Sequence, residues 1–158
     1  MQARIKNIPM FPDLMKAMQA LQAAADKGGV PERTKLLVEV RASQINGCSV
    51  CVDMHTRELK KQGESIERIC TVAAWRDTPY FTDAERAALA LTEAVTRIAD
   101  RPDPVPDDIW QEAARHYDEA GLAGLLITIG TINVWNRLNV AIKQVSGPWT
   151  EGAASRAA

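Results

Sequence analysis

The sequence has few aromatic residues and no excess of charge of either sign. Aromatic side chains make up 5% of the 158 residues, and 19 Lys and Arg stand against 20 Asp and Glu. A protein that neutralises phosphates needs a basic excess, and one that stacks bases needs aromatic side chains. We therefore expect no nucleic acid among its partners.

Long hydrophobic segments are also missing. The longest uncharged run, residues 120–136, includes two threonines and two asparagines. A membrane-spanning helix needs about 20 consecutive apolar residues, so this run predicts a buried helix and no membrane partner. The first ten residues lack the apolar core of a secretory signal, and the chain has only three cysteines. These features favour a reducing compartment, and we expect a cytoplasmic location.

Apolar residues recur at helical spacing almost throughout the chain, which predicts an all-α single domain of about six to seven helices. We expect a domain over residues 1–150 and a frayed tail over 151–158. Asp13 is a candidate cap for the first helix, and Gly121 is expected to separate the last two. The predicted helices cover roughly residues 14–27, 32–45, 48–63, 65–75, 83–98, 107–119 and 122–143.

The most informative pattern is Cys48-Ser-Val-Cys51 followed by His55. Positions i, i+3 and i+7 lie on one face of a helix, and a helix that begins at Cys48 after Gly47 favours a thiolate at its N-terminus. His55, one turn after Cys51, can accept or relay the thiol proton. The pattern predicts dithiol redox chemistry in which Cys51 attacks a peroxide and Cys48 resolves the sulfenic acid to a disulfide. The reverse roles stay open, because the spacing does not reveal which sulfur is exposed.

A zinc site is the main structural alternative for these three residues. A structural zinc site needs a fourth ligand, and the candidates Cys70, His116 and the carboxylates stand at no typical spacing. Unrelated core cysteines are a further alternative. The pattern favours redox chemistry over both, with no metal ligands and no cofactor-binding residues predicted.

The segment Glu39–Gly63, EVRASQINGCSVCVDMHTRELKKQG, resembles the core of the alkylhydroperoxidase D-like proteins of the carboxymuconolactone decarboxylase family. The specific run is Ala42–Thr56, and the resemblance extends to Thr82–Ile98 and Ile132–Arg137. It implies an all-helical fold, a homotrimer or homohexamer, and a CxxC pair that reduces hydroperoxides. It also implies an external dithiol electron donor, lipoyl or thioredoxin-like, rather than a bound cofactor. Members that decarboxylate γ-carboxymuconolactone lack the CxxC pair, so its presence argues against that activity.

The resemblance assigns roles to particular residues. Cys48 and Cys51 match the redox cysteines, and His55 matches the proton-relay histidine. The relay glutamate stands twelve residues before the first cysteine, where this chain has Leu36. Glu39, one turn later, is a tentative substitute. The expected function is a thiol-dependent hydroperoxidase or dithiol–disulfide oxidoreductase with an antioxidant role, acting on a hydroperoxide or disulfide.

Two other functions stay open. The second histidine of the enzyme D type corresponds to Val50, so two relay groups are missing or moved. A redox-sensing or interaction protein that switches the Cys48–Cys51 pair with little turnover is the first alternative, and a metal-binding module is the second.

The remaining notable side chains are expected to be structural. Cys70 stands among apolar neighbours and is predicted to be a buried thiol, and His116 a partly exposed histidine. Trp135, Asn136 and Arg137 interrupt an apolar helix, which favours packing or subunit contact over lining the thiol pocket. We expect copies of the chain to assemble through this C-terminal helix.

Overall fold

The described part of the chain folds into α-helices and one short 3₁₀ segment. The computed structural model describes residues 2–5, 10–100 and 102–147, and these ranges contain seven α-helices and no strand. The helices are α1 (Phe11–Asp26), α2 (Glu32–Asn46), α3 (Ser49–Lys61), α4 (Ile66–Thr71), α5 (Asp83–Thr96), α6 (Asp107–His116) and α7 (Glu119–Ala141). The predicted all-α single-domain fold is confirmed, while the tail 151–158 lies outside the described residues. None of the described helices is long and apolar enough to cross a membrane.

Helix α2 lies at the centre and packs against α3, α5 and α7, whereas α1 packs on α7 and α6 on α5. From Thr34 to Val40, every α2 residue except Glu39 is buried. A helix that is covered on several sides needs no polar face, which explains the apolar run in this segment. Glu39 is the one carboxylate of this segment, and it lies in the packed region beside α3.

Several predicted helix ends are wrong by a few residues, because local hydrogen bonds decide them. Asp13 lies in the first turn of α1 rather than capping it. Gly121 does not separate the last two helices. The Asp118 side chain accepts the Gly121 N–H at 2.8 Å, so α7 already begins at Glu119. After Thr71 the backbone tightens into the 3₁₀ segment Val72–Asp77, which shortens the predicted fourth helix.

Candidate active site

A tight turn from α2 into α3 positions the two cysteines. Gly47 follows α2 with a φ of 69°, a left-handed conformation that suits glycine. The Cys48 N–H donates back to the Ser43 carbonyl at 3.0 Å, which closes the helix end. Cys48 is therefore the N-cap residue of α3, and Cys51 lies in the first turn. This confirms the predicted placement of the pair at a helix N-terminus.

The two cysteines form a disulfide that is almost fully buried. Their Cα atoms are 5.4 Å apart, and Cys48 and Cys51 are 1% and 2% exposed. The apolar residues packed around them are Ala42, Val50, Ile132 and Trp135. This surrounding shields most of the disulfide from water.

An open pocket of about 760 Å³ borders the disulfide on the side of Cys48. It lies between the N-terminus of α3 and the end of α7, and its lining includes Ser49, Asn139 and Lys143. Lys143 carries the one charge among the described lining residues. The pocket gives a small molecule a route toward Cys48.

Glu39 of α2 and His55 of α3 form a polar pair. Oε2 of Glu39 lies 3.2 Å from Nδ1 of His55, and both side chains are 12% exposed. The buried Nε2 atom of His55 contacts no hydrogen-bonding group among the described residues. Because the carboxylate contacts Nδ1, Nε2 is the ring nitrogen that is available to a further partner. Leu36, at the position of the family's glutamate, is a core residue that is 3% exposed.

Helix α7 adds asparagine side chains whose contacts the sequence did not reveal. Nδ2 of Asn139 donates to Sγ of Cys51 at 3.4 Å. Asn136 is fully buried; it donates to Ser43 Oγ at 3.0 Å and accepts from Asn46 Nδ2 at 2.9 Å. Since Ser43 and Asn46 lie in the last turn of α2, Asn136 ties α7 to the turn that carries Cys48.

The neighbours of Asn136 have different roles. Trp135 packs against the cysteine cluster and lies 6.3 Å from Phe11 between ring centroids. Arg137 donates to Oδ1 of Asn133 at 2.7 Å. The expected packing role therefore holds for Trp135, and neither Asn136 nor Arg137 is among the lining residues of the pocket beside Cys48.

The other two candidate ligand residues lie apart from this site. Cys70 is exposed, so the prediction of a buried thiol is wrong. The short helix α4 buries Ile69, whereas the next residue, Cys70, is exposed to solvent. His116 is partly exposed, as expected, and Nε2 lies 3.2 Å from Glu112. Across the described ranges no group of three or more His, Cys, Asp and Glu side chains is placed to hold a metal ion. The zinc alternative therefore has no ligand set in that part of the chain.

The fold and site together define an all-helical protein with a CxxC disulfide at the start of helix α3. The chain belongs to the carboxymuconolactone decarboxylase family, whose family model matches residues 12–94. That match includes both cysteines of the disulfide, His55 and Glu39.

Related proteins support the same assignment. The chain is 34% identical over 142 residues to the uncharacterized protein YdfG of Bacillus subtilis, which covers 90% of this chain and 95% of YdfG. It is 35% identical to ATU0492 of Agrobacterium tumefaciens, a protein of unknown function to which an AhpD antioxidant-defence role has been provisionally given. The two structures agree with a TM-score of 0.84 over 92% of this chain and 99% of that one. The debrominase Bmp8 is 21% identical, with a TM-score of 0.75 over 93% of this chain and 78% of Bmp8, and shares the fold.

Proposed function

We propose that this protein is a thiol-dependent hydroperoxidase that cycles the Cys48–Cys51 pair between dithiol and disulfide, with an antioxidant role. The proposal rests mainly on the contact of Glu39 with His55, since His55 stands one turn beyond Cys51 on α3. A thiol peroxidase needs a group that removes the thiol proton and returns it to the leaving alkoxide. Family membership and the likeness to ATU0492 add support.

The first step consumes the peroxide. In the reduced protein His55 takes the Cys51 proton, and the thiolate attacks the terminal oxygen of the hydroperoxide. The O–O bond breaks, its electron pair leaves with the alkoxide, and His55 returns the proton to give the alcohol. Cys51 is left as a sulfenic acid. Glu39 orients the imidazole and stabilises the positive charge that it carries between the two proton transfers.

The second step forms the disulfide. The Cys48 sulfur attacks the Cys51 sulfur, the S–O bond breaks, and the hydroxyl leaves as water with the Cys48 proton. The Cα separation of 5.4 Å in the disulfide is about that of residues i and i+3 on a helix, so this step needs no large backbone movement. An external dithiol of the lipoyl or thioredoxin-like class then reduces the pair by thiol–disulfide exchange and becomes a disulfide itself. No tightly bound cofactor enters the cycle.

A redox sensor of the same fold is the second candidate. The observation that favours it is the burial of both sulfurs, which are 1% and 2% exposed and thus poorly accessible to a protein donor. Such a protein would be oxidised once, remain a disulfide and change its binding to a partner. Repeated turnover separates it from an enzyme.

We further propose that the protein is a cytoplasmic homotrimer or homohexamer. Helix α7 supports the assembly, because it carries an exposed row at four-residue spacing, namely Leu126, Gly130, Val134 and Leu138. An apolar row on an outer surface is typical of a contact between chains. Val134→Lys is expected to lower the sedimentation coefficient of the assembly, and an unchanged coefficient would argue against this contact.

The test of the activity is steady-state consumption of tert-butyl hydroperoxide with dihydrolipoic acid as the reductant. Wild type and the control Cys70→Ser are expected to turn over repeatedly, because Cys70 lies apart on α4. Cys51→Ser is expected to be inactive, whereas Cys48→Ser, assayed without the dithiol, consumes one equivalent and stops at a sulfenic acid. Activity that survives in Cys51→Ser but not in Cys48→Ser would reverse the two roles. A single equivalent consumed by wild type would favour the sensor, and no consumption would overturn both functions.

A further inference from the structure

We propose that Asn139 is a further catalytic residue, whose side-chain amide holds the Cys51 sulfur as a thiolate during the proposed peroxidase cycle. Its Nδ2 atom donates to Cys51 Sγ at 3.4 Å. The residue lies in the last turn of α7, seven positions after Ile132, which packs against the disulfide. The Gln144 N–H donates to the Asn139 carbonyl at 2.8 Å, which fixes the backbone that presents the amide. The proposal rests on the proposed function, since it assigns a role within that cycle.

The contact gains strength when Cys51 becomes charged. A hydrogen bond to a disulfide sulfur is weak, but the same N–H donor facing a thiolate makes a charge-assisted bond. Asn139 is thus matched to the reduced state of the pair and to the attacking form of Cys51. A neutral donor also does not titrate, so its effect is present at every pH at which the protein folds.

The same amide assists the return of the pair to the dithiol. When the thiolate of the external dithiol attacks Cys48, a bond forms between those two sulfurs and the Cys48–Cys51 bond breaks. Its electron pair leaves on Cys51 as a thiolate, which Asn139 stabilises. The donor's second thiolate then displaces Cys48, so the donor ends as a disulfide and the pair is fully reduced. The pocket beside Cys48 fits this direction of attack.

Few other charged groups act on Cys51. Helix α3 contributes His55, which is paired with Glu39 of α2, and the segment after α7 contributes Lys143 at the pocket. Other charged side chains of the surrounding helices form ion pairs with one another. These pairs are Arg41–Glu93, Arg57–Asp53, Arg68–Glu64 and Arg68–Glu85. Asn139 is the described residue whose side chain donates directly to the sulfur.

The test is the pH profile of iodoacetamide alkylation of Cys51. A Cys48→Ser, Cys70→Ser background leaves Cys51 as the single cysteine of the chain. Asn139→Leu removes the donor at similar volume, and Asn139→Asp keeps the shape but places an acceptor beside the sulfur. We expect Asn139→Leu to move the midpoint of the profile up by about one pH unit, which slows alkylation below the midpoint roughly tenfold, and Asn139→Asp to move it further. The plateau rate at high pH is expected to be unchanged, whereas a merely structural role would alter the plateau and leave the midpoint.

Gln144→Leu is the matched control: it removes a side-chain amide from the same pocket but keeps the Gln144 N–H that holds the Asn139 carbonyl, so the midpoint is expected to stay unchanged. The proposal would be overturned if both Asn139 variants had the same alkylation midpoint as the background protein. No peroxide is used, so this outcome is independent of turnover. A shifted midpoint in a protein that consumes no peroxide would instead overturn the proposed function and keep the amide–thiolate contact.

Discussion

Oε2 of Glu39 lies 3.2 Å from Nδ1 of His55, which links the middle of α2 to α3 one turn beyond Cys51. The resemblance pointed to position 36 for the relay carboxylate, where Leu36 instead fills the core. One turn along the same helix, Glu39 reaches the histidine. The pair supports Glu39 as the substitute for the missing glutamate.

Glu39→Gln tests this pair. Glutamine keeps the size and an oxygen acceptor but loses the charge that stabilises protonated His55. We expect the turnover number with tert-butyl hydroperoxide at saturating dithiol to fall about ten- to a hundredfold, with the helical circular dichroism spectrum unchanged. Glu58→Gln is the control, since Glu58 is a half-exposed α3 carboxylate paired with Lys61. Equal rates in the two variants would remove Glu39 from the mechanism.

Glu93 makes the stability of the fold depend on pH in the acid range. Burial raises the pKa of this carboxyl, but hydrogen bonds from Trp75, Arg76 and Arg41 outweigh it and hold the pKa below the ordinary 4.5. A lowered folded pKa gives stability that is present above pH 4.5 and is lost as the pH falls from there through the folded value. Glu93→Gln is expected to cost about 2 kcal/mol in the free energy of unfolding at pH 7.

Urea unfolding of wild type and Glu93→Gln at pH 7 and at successive values below 4.5 checks this effect. The difference in the free energy of unfolding between the two proteins, which we call the gap, is expected to narrow as the pH falls, because the wild-type carboxyl becomes neutral. A gap that stays constant across the range would show that the charge of Glu93 contributes nothing.

Tyr117 makes the stability of the fold depend on pH in the alkaline range, with the opposite sign. Burial, together with the nearby Glu85 charge, raises the pKa of Tyr117 to about 12, and its hydroxyl donates to the Ala84 carbonyl at 2.8 Å. The neutral phenol therefore stabilises the fold fully below pH 10.0, and this stability is lost as the pH rises through about 12. The absorbance titration at 295 nm of wild type minus Tyr117→Phe is expected to show a step near pH 12. A step near pH 10 would contradict the buried environment.

Gly124 permits the close crossing of α1 and α7. A Cβ atom on Gly124 would lie 2.8 Å from the Ala25 carbonyl oxygen, which belongs to the backbone and cannot rotate away. Gly124→Ala is expected to lower the free energy of unfolding by about 1–3 kcal/mol. Gly147→Ala, beyond the end of α7, is the control: its Cβ would meet nothing within 4 Å, so alanine should be neutral or mildly stabilising. Thermal or urea unfolding, compared at matched oligomeric state, measures both variants. Equal losses of the free energy of unfolding in Gly124→Ala and the control would contradict the close crossing of α1 and α7.

The sequence predicted the helical fold and the placement of the CxxC pair at a helix start, because both depend on local spacing and on turn residues such as Gly47. Helix ends were less predictable, since a single side chain such as Asp118 moves an end by several residues. The environment of Cys70 was misjudged because apolar neighbours do not reveal which side of a short helix is covered. The contact of Asn139 with Cys51 joins residues 88 positions apart, and no local pattern encodes such a pairing.

A count of free thiols after one equivalent of tert-butyl hydroperoxide tests the redox pair most directly. The measurement uses reduced, metal-free protein that is denatured after the reaction. We expect a fall from three thiols to one in wild type and from two to none in Cys70→Ser, with a sulfenic acid trapped in Cys48→Ser. Three thiols that survive in wild type would contradict peroxide as the oxidant of the Cys48–Cys51 pair.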